Sequence, residues 1–229
     1  VPSRLCPQAC PNSGSASYDG AKHTLVLSGT LPAGVTVTYE YKRGGQSYGS
    51  AGVTDVGEYN VTAIFAFANA TDADNYKLTY NGLEIGRLEA VLTITKQSAD
   101  VGDVVFEDAT VVYDGAVHSL HVSGVATGVT KVAYEYLLNG VKVSESGVVN
   151  AGEYTVVARF EVGENYSPVA AQTRKLTITK APLTVTAEAA VITYGDDPSA
   201  HDYEVSYAGV AAGDSVLDFG KPVIRVNSG

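Results

Sequence analysis

The sequence predicts an all-β protein built of small sandwich domains in tandem, and three observations predict it. The stretch Asn150-Ala-Gly-Glu-Tyr-Thr-Val-Val-Ala-Arg-Phe160 alternates Tyr154, Val156, Ala158 and Phe160 against Thr155, Val157 and Arg159, the period-2 signature of a strand with one buried face. The same stretch occurs earlier as Asp55-Val-Gly-Glu-Tyr-Asn-Val-Thr-Ala-Ile-Phe65, so the chain is a repeat array. Composition agrees: 15 Tyr with no Trp or Met, and periodic segments filled by Val and Thr, favour strands over helices. A Tyr at the head of such a strand, after Gly-Glu, also fits a tyrosine corner, in which the phenol bonds back to the preceding turn.

Each element follows in order. The first repeat opens at Ser17-Tyr-Asp-Gly-Ala-Lys-His23 and the second at Val112-Tyr-Asp-Gly-Ala-Val-His118, a shift of 95 residues that Tyr39-Glu-Tyr41 and Tyr134-Glu-Tyr136 keep. Asp-Gly supplies the turn, because Gly tolerates positive φ. A short strand is expected at Thr24–Leu27 and Ser119–Val122. An alternating strand follows, with Val35, Val37, Tyr39 and Tyr41 on one face, and Lys131–Leu138 as its counterpart. Gly44-Gly45 and Asn139-Gly140 then turn the chain, Asn-Gly being a strong hairpin signal. Weaker strands cross Ser47–Ala51 and Val141–Glu145 before the tyrosine-corner strand, and Leu-Thr-Ile-Thr-Lys closes each repeat. Asn75-Tyr76 matches Asn165-Tyr166 at a shift of 90, and Leu92–Lys96 matches Leu176–Lys180 at 84, so the first repeat carries two insertions, expected as loops in Ala66–Ala73 and Tyr80–Glu89.

A third unit starts at Ala181-Pro182, alternates Leu183, Val185 and Ala187 against Thr184, Thr186 and Glu188, and reaches Tyr194-Gly195-Asp196, a variant of the opening turn. It has no counterpart of the Gly-Glu-Tyr strand or of the closing strand, so it reads as an incomplete unit, cut through or completed by strands of another chain. The expected divisions are 1–16, an N-terminal Cys-containing segment; 17–97 and 98–180, the two full repeats; and 181–229, the partial third. Short linkers at Gln97–Asp103 and Lys180–Pro182 suggest an extended, moderately bent array. Short, closely spaced strands point to Greek-key or immunoglobulin-like sandwiches, with a β-grasp-like, mostly-β domain as the alternative.

Charge and cysteine usage bound the function. With 25 Asp and Glu against 15 Lys and Arg, a formal charge of −10 argues against nucleic acid or an anionic membrane as partner. No apolar run is long enough to span a membrane, and the lack of a leader or initiator Met suggests an excerpt from a longer precursor. Cys6 and Cys10 suggest a local disulfide of an extracellular protein, with two free thiols as the alternative. Three residues separate them, one more than in thioredoxin-like redox motifs.

Taken together, Tyr-Asp-Gly-x-x-His, Gly-Val-Thr with Tyr-x-Tyr, Gly-Glu-Tyr-x-Val-x-Ala-x-Phe, Asn-Tyr and Leu-Thr-Ile-Thr-Lys-Ala-Pro resemble the YDG and MBG repeat domains of large bacterial surface proteins. The third unit, with Tyr194-Gly195-Asp196 and Gly213-Asp214-Ser215, is similar to the YGX type. The resemblance covers about Ser17 to Val216 and implies a secreted or wall-attached, adhesin-like protein without catalytic residues. From it follow the expected functions: a non-catalytic stalk or spacer packed against neighbouring repeats of one precursor, or a module that binds host glycans or glycoproteins through first-repeat loops. No cofactor is called for.

The candidate site residues are few. Asp72, Asp74, Asn75, Tyr76 and Tyr80 in the inserted loops are the possible recognition surface; the oxygens of Asp72, Asp74 and Asn75 suit calcium, though without the twelve-residue calcium-loop pattern. His23 and His118 recur in register without further ligands nearby, which indicates a turn role. Lys96, Lys180, Asp19, Asp114, Glu58 and Glu153 recur in register too, and Lys with Asp or Glu are the ingredients of self-formed isopeptide crosslinks, which need apolar burial. Asn60-Val-Thr62, Asn69-Ala-Thr71 and Asn165-Tyr-Ser167 fit glycosylation triplets that also arise by chance. No nucleophile elbow occurs, so no enzyme is expected.

Overall fold

A computed structural model of the chain describes residues 4–5, 13–124 and 126–215. In the first repeat the strands are β1 (Arg4–Leu5), β2 (Gly14–Ser17), β3 (Val35–Arg43), β4 (Gln46–Ser47) and β5 (Gly57–Phe67), a short helix α1 (Ala70–Asn75), then β6 (Leu78–Tyr80), β7 (Leu83–Glu84) and β8 (Arg87–Thr95). The second holds β9 (Gln97–Ser98), β10 (Ala109–Val112), β11 (Val129–Leu138), β12 (Val141–Ser144), β13 (Gly152–Val162), β14 (Tyr166–Ser167) and β15 (Gln172–Thr179). The third segment contributes β16 (Thr184–Ala187), a 3-10 turn at Pro198–Ala200, and β17 (Val205–Ala208), which pairs antiparallel with β16.

The fold is all-β, as expected, and the two repeats have one topology. Five strands run in the order β2-β8-β5-β3-β4 in the first and β10-β15-β13-β11-β12 in the second. The closing strand lies inside the sheet, antiparallel to the tyrosine-corner strand (Tyr59 opposite Leu92, Tyr154 opposite Leu176). On its other side it pairs in parallel with the opening strand, Gly14 opposite Leu92 through Ser17 opposite Thr95, and Ala109 opposite Leu176 through Val112 opposite Thr179.

Alternation decides which face is buried. β5 and β13 share one pattern of burial, with Tyr59, Val61, Ala63 and Phe65, and likewise Tyr154, Val156, Ala158 and Phe160, turned inward. Tyr41, Leu92 and Ile94 pack with Tyr59 and Val61, Val35 and Leu78 with Ala63 and Phe65, and Tyr136, Leu176 and Ile178 with Tyr154, Val156 and Ala158. A Val, Leu, Ile or Phe side chain buried in this way contributes about 1.5–3 kcal/mol by leaving water. Both tyrosine corners form as expected: Tyr59 Oη donates to the Asp55 carbonyl at 2.9 Å, and Tyr154 Oη to the Asn150 carbonyl at 2.8 Å.

The expected strands Thr24–Leu27 and Ser119–Val122 are not strands. Single bridges, His23 to Val53, His118 to Val148 and Val105 to Ser123, tie this second layer together. Its backbone finds tyrosine hydroxyls instead of a ladder partner. The Leu25 amide donates to Tyr41 Oη (3.0 Å), which donates to the Leu25 carbonyl (3.2 Å), and the Leu27 amide donates to Tyr39 Oη. Tyr136 serves Leu120, and Tyr134 serves Val122, in the same way. Two phenols from one strand thus satisfy polar backbone that burial would leave orphaned.

The expected insertion loops also differ. Ala66–Ala73 contains the start of α1, because Asn69 caps it: its Oδ1 accepts from the Asp72 amide at 2.8 Å. Tyr80–Glu89 holds a hairpin turned by Asn81-Gly82, both at positive φ (50° and 81°), followed by the start of β8. The weaker strand Ser47–Ala51 contracts to β4, Gln46–Ser47.

By internal contacts the chain falls into two compact units. The first runs to Asp100 and takes in Thr127–Thr130 and Val162–Val169; the second comprises Val101–Ala126, Lys131–Glu161 and the chain from Ala170 on.

Candidate recognition surface

The inserted segment places four of the five candidate loop residues together. α1 buries none of its residues, and Asp74 and Asn75 are exposed. The Asp72 carboxylate accepts from the Asn69 side-chain amide at 2.9 Å, while Asn75 Nδ2 donates to the Thr71 carbonyl at 2.8 Å. The Tyr76 amide closes the helix onto the Asp72 carbonyl at 2.9 Å. Tyr80 stands apart, half-buried at the end of β6 opposite Leu83. The carboxylate of Asp72 is thus spent on its own cap. Among the described residues no three His, Cys, Asp or Glu side chains converge to hold a metal ion. Cys6 and Cys10 lie outside the described residues.

His23 and His118 do the turn work the register implied. Each is 19% exposed, with Nε2 2.9 Å from Asp19 Oδ1 and 2.8 Å from Asp114 Oδ1 respectively. The same Asp oxygens accept from the Ala21 and Ala116 amides, forming Asx turns. Those backbone bonds, followed by the His side chains, hold both carboxyls below their ordinary value. His23 also exchanges backbone bonds with Val53, and Gly52 beside it has φ 93°, with its Cβ position 2.5 Å from the His23 carbonyl oxygen.

The crosslink candidates are not brought together. Lys96, Lys180, Asp19, Asp114, Glu58 and Glu153 are all exposed, so the burial that favours neutral amine and acid is missing. Asp19 and Asp114 serve their histidines, and Glu153 faces Lys175 at 3.4 Å instead of Lys180.

One constellation went unread in the sequence, where Asn165-Tyr166 served only to mark repeat register. In the first unit Asn165 is clamped from both sides: its Oδ1 accepts from the Val56 amide at 2.9 Å and its Nδ2 donates to Asp55 Oδ1 at 3.0 Å. Its carbonyl accepts from the Gln97 amide at 3.1 Å, and β14 continues in parallel with β9. The Tyr166 ring meets Tyr18 edge-on, centroids 5.6 Å apart, over Gly128, where a Cβ would collide with the ring. The linking strand Gln97–Ser98 is therefore hydrogen-bonded structure.

In the second unit Tyr113, Asn150, Ala151, Lys180 and Asp214 border a cavity of about 260 Å³. Tyr113 Oη donates to the Asp214 carboxylate, 3.0 and 3.1 Å from its two oxygens, and that bond raises the phenol above its ordinary pKa.

No family model matches the chain, and no curated protein matches it. Among solved structures it is similar to human mucin-like protocadherin EC1-2, with 13% identity and a TM-score of 0.26, covering 77% of this chain and 98% of that one. The four N-terminal Ig domains of a Dscam1 isoform give 14% identity and a TM-score of 0.29, covering 95% and 66%. A SusE-like, surface-located polysaccharide-binding protein from Bacteroides thetaiotaomicron gives 12% and 0.21, covering 74% and 33%.

Proposed function

We propose that this chain is a non-catalytic stalk or spacer segment of a bacterial surface or secreted adhesin-like protein, of the YDG and MBG repeat type. The observation that carries this reading is the built connection in the first unit. Gln97–Ser98, which a flexible tether would leave to solvent, forms a ladder with Tyr166–Ser167 while Asn165 is held by Asp55 and Val56. A spacer needs joints of this kind, since an unpaired linker transmits position poorly. Duplication of one sheet topology with its corners, turns and phenol ties supports the same reading, because a stalk is lengthened by repeating a unit.

A second reading rests on α1. A helix that buries none of its residues contributes little to the core, and loops on a rigid scaffold commonly carry recognition. In this reading the first repeat binds a host glycan or glycoprotein directly through Asp74, Asn75 and their neighbours.

A concentration series of the whole chain over immobilised glycoproteins, mucins and purified glycans separates the two. The spacer reading expects no saturable binding by a folded sample. Saturable binding that disappears when Asp74 and Asn75 are replaced by Ala assigns adhesion to the inserted helix and overturns the spacer.

A further inference from the structure

The three Asn-x-Ser/Thr triplets of the sequence are put to different uses by the fold. Asn69 caps α1 through Oδ1 and donates from Nδ2 to the Asp72 carboxylate at 2.9 Å. Asn165 is held by the Val56 amide and the Asp55 carboxylate. A sugar on either nitrogen would push a carboxylate aside. Asn60 differs. Alternation along β5 turns Tyr59 and Val61 into the core and sets Glu58, Asn60 and Thr62 in a row on the outer face. Asn60 is exposed, and among the described residues neither its amide nor the Thr62 hydroxyl is taken up by a hydrogen bond.

The outer face is open at this place. A groove of about 790 Å³ runs along β5 over Asn60, Thr62 and Ile64, walled by Glu40 and Lys42 of β3 and by Arg87 and Glu89 of β8. Lys42 pairs with Glu40 at 2.9 Å and Arg87 with Glu89 at 3.3 Å, each within its own strand, so among the described residues no ion pair crosses over β5. The second repeat closes the matching face. At the 95-residue shift Asn60 and Thr62 become Thr155 and Val157, and Arg159 of β13 reaches across to Glu135 of β11 at 3.1 Å.

We propose that Asn60 is the acceptor of an N-linked glycan whose first sugars lie in this groove. Asn, any residue but Pro, then Thr is the acceptor pattern. Glu58 adds a carboxylate two residues earlier on the same face, which a cationic side chain of a transferase can read; Asn69 and Asn165 have Phe67 and Gly163 there. The groove lies within the roughly 300–1,000 Å³ of small-molecule sites, and its carboxylates, amine and guanidinium offer acceptors and donors to sugar hydroxyls. The donor is an oligosaccharide carried on a lipid diphosphate. Asn60 Nδ2 attacks its anomeric carbon, and the new C–N bond forms as the C–O bond to the diphosphate breaks. The lipid diphosphate leaves with the electron pair, and the nitrogen passes one proton to a base of the transferase. Transfer takes place on the extended segment before the sheet closes, and the folded face then leaves the sugar in solvent. The inference rests on the reading of the chain as a surface or secreted protein, since it requires export.

The test produces the whole chain behind an export leader, with an unrelated acceptor tag at its C-terminus, in cells that carry an asparagine-specific oligosaccharyltransferase and its lipid-linked donor. Intact and peptide masses are then read. One oligosaccharide is expected on the tag and one on Asn60, the latter kept in Thr62→Ser, Asn69→Gln and Asn165→Gln and lost in Asn60→Gln and Thr62→Val. Asn60 bare on a chain whose tag is modified, or sugar on Asn69 or Asn165 in its place, overturns the proposal. The modified chain should keep its urea midpoint within about 0.3 M of the bare chain; a larger fall overturns the placement of the sugar on the solvent face. Because the leader supplies export, a bare Asn60 counts against this site alone, whereas saturable binding to the glycan panel counts against the spacer alone.

Discussion

Replacing Tyr136 by Phe removes one oxygen and strands two backbone groups. Tyr136 is fully buried and Leu120 is 9% exposed, so neither the Leu120 amide (3.0 Å from the phenol oxygen) nor its carbonyl (3.2 Å) can turn to water. An orphaned buried polar group costs about 1–3 kcal/mol. Two of them, partly offset because the Phe ring itself gives up no hydrogen bond, should cost about 2–4 kcal/mol of a domain stability of roughly 5–15 kcal/mol. Tyr41→Phe breaks the same pair of bonds, but Leu25 is only half-buried and water replaces part of the loss, giving about 1–2 kcal/mol. Urea unfolding of the two variants, followed by circular dichroism, should lower the midpoint of the affected transition by roughly 1–2 M for Tyr136→Phe and by less for Tyr41→Phe. Amide exchange at Leu120 should accelerate in step. A Tyr136→Phe midpoint within about 0.3 M of the parent, or an unchanged Leu120 exchange rate, would refute the claim that phenols replace a sheet partner here.

Three further outcomes are expected. Asp19 and Asp114 titrate below their ordinary value when folded, chiefly through the Ala21 and Ala116 amides, so their stabilising effect is full above the unfolded carboxyl pKa and vanishes as pH falls through the folded one. The gap in urea midpoint between parent and Asp19→Asn plus Asp114→Asn should therefore be open above about pH 5 and close below about pH 4. Gly52→Ala should lower thermal stability far more than Gly20→Ala, because both have positive φ (93° and 79°) but only Gly52 places a Cβ 2.5 Å from the His23 carbonyl oxygen. The αL penalty alone is roughly 1–2 kcal/mol, and Gly20→Ala should cost no more than that. Asn165→Ala should release the Val56 amide and cost the first unit about 1–2 kcal/mol, read as faster Val56 exchange with an unchanged Leu120.

What the sequence makes legible is local or repeated. Tyr59 and Tyr154 sit four residues past the carbonyls they bond, so the motif contains donor and acceptor together. Asn139-Gly140 declares its hairpin by the φ values it tolerates, 52° and 80°. Thr24–Leu27 was misread because its partner is a side chain: alternating Leu25 and Leu27 look like a strand, but the phenols of Tyr41 and Tyr39 lie 16 and 12 residues away. The α1 insertion lacks an apolar face, so no helical period announces it, and only the Asn69 cap hints at it. The Asn165 clamp joins residues 109 and 110 apart, a distance at which neither propensity nor alternation carries information. Register does carry the pair itself, Asn165-Tyr166 recurring as Asn75-Tyr76 beyond the first insertion.

The parallel pairing of first and last strands has a mechanical meaning. The chain enters each sheet at the start of the opening strand and leaves it at the end of the closing strand, at opposite ends of the same four-residue ladder. Tension drawn between Gly14 and Thr95, or between Ala109 and Thr179, acts along the strands and slides them past one another. All rungs of the ladder then bear the load at once, whereas a hairpin pulled from its open end tears one rung at a time. Such a repeat yields to force only when several bonds fail together, with the closing strand still braced on its far side by the tyrosine-corner strand.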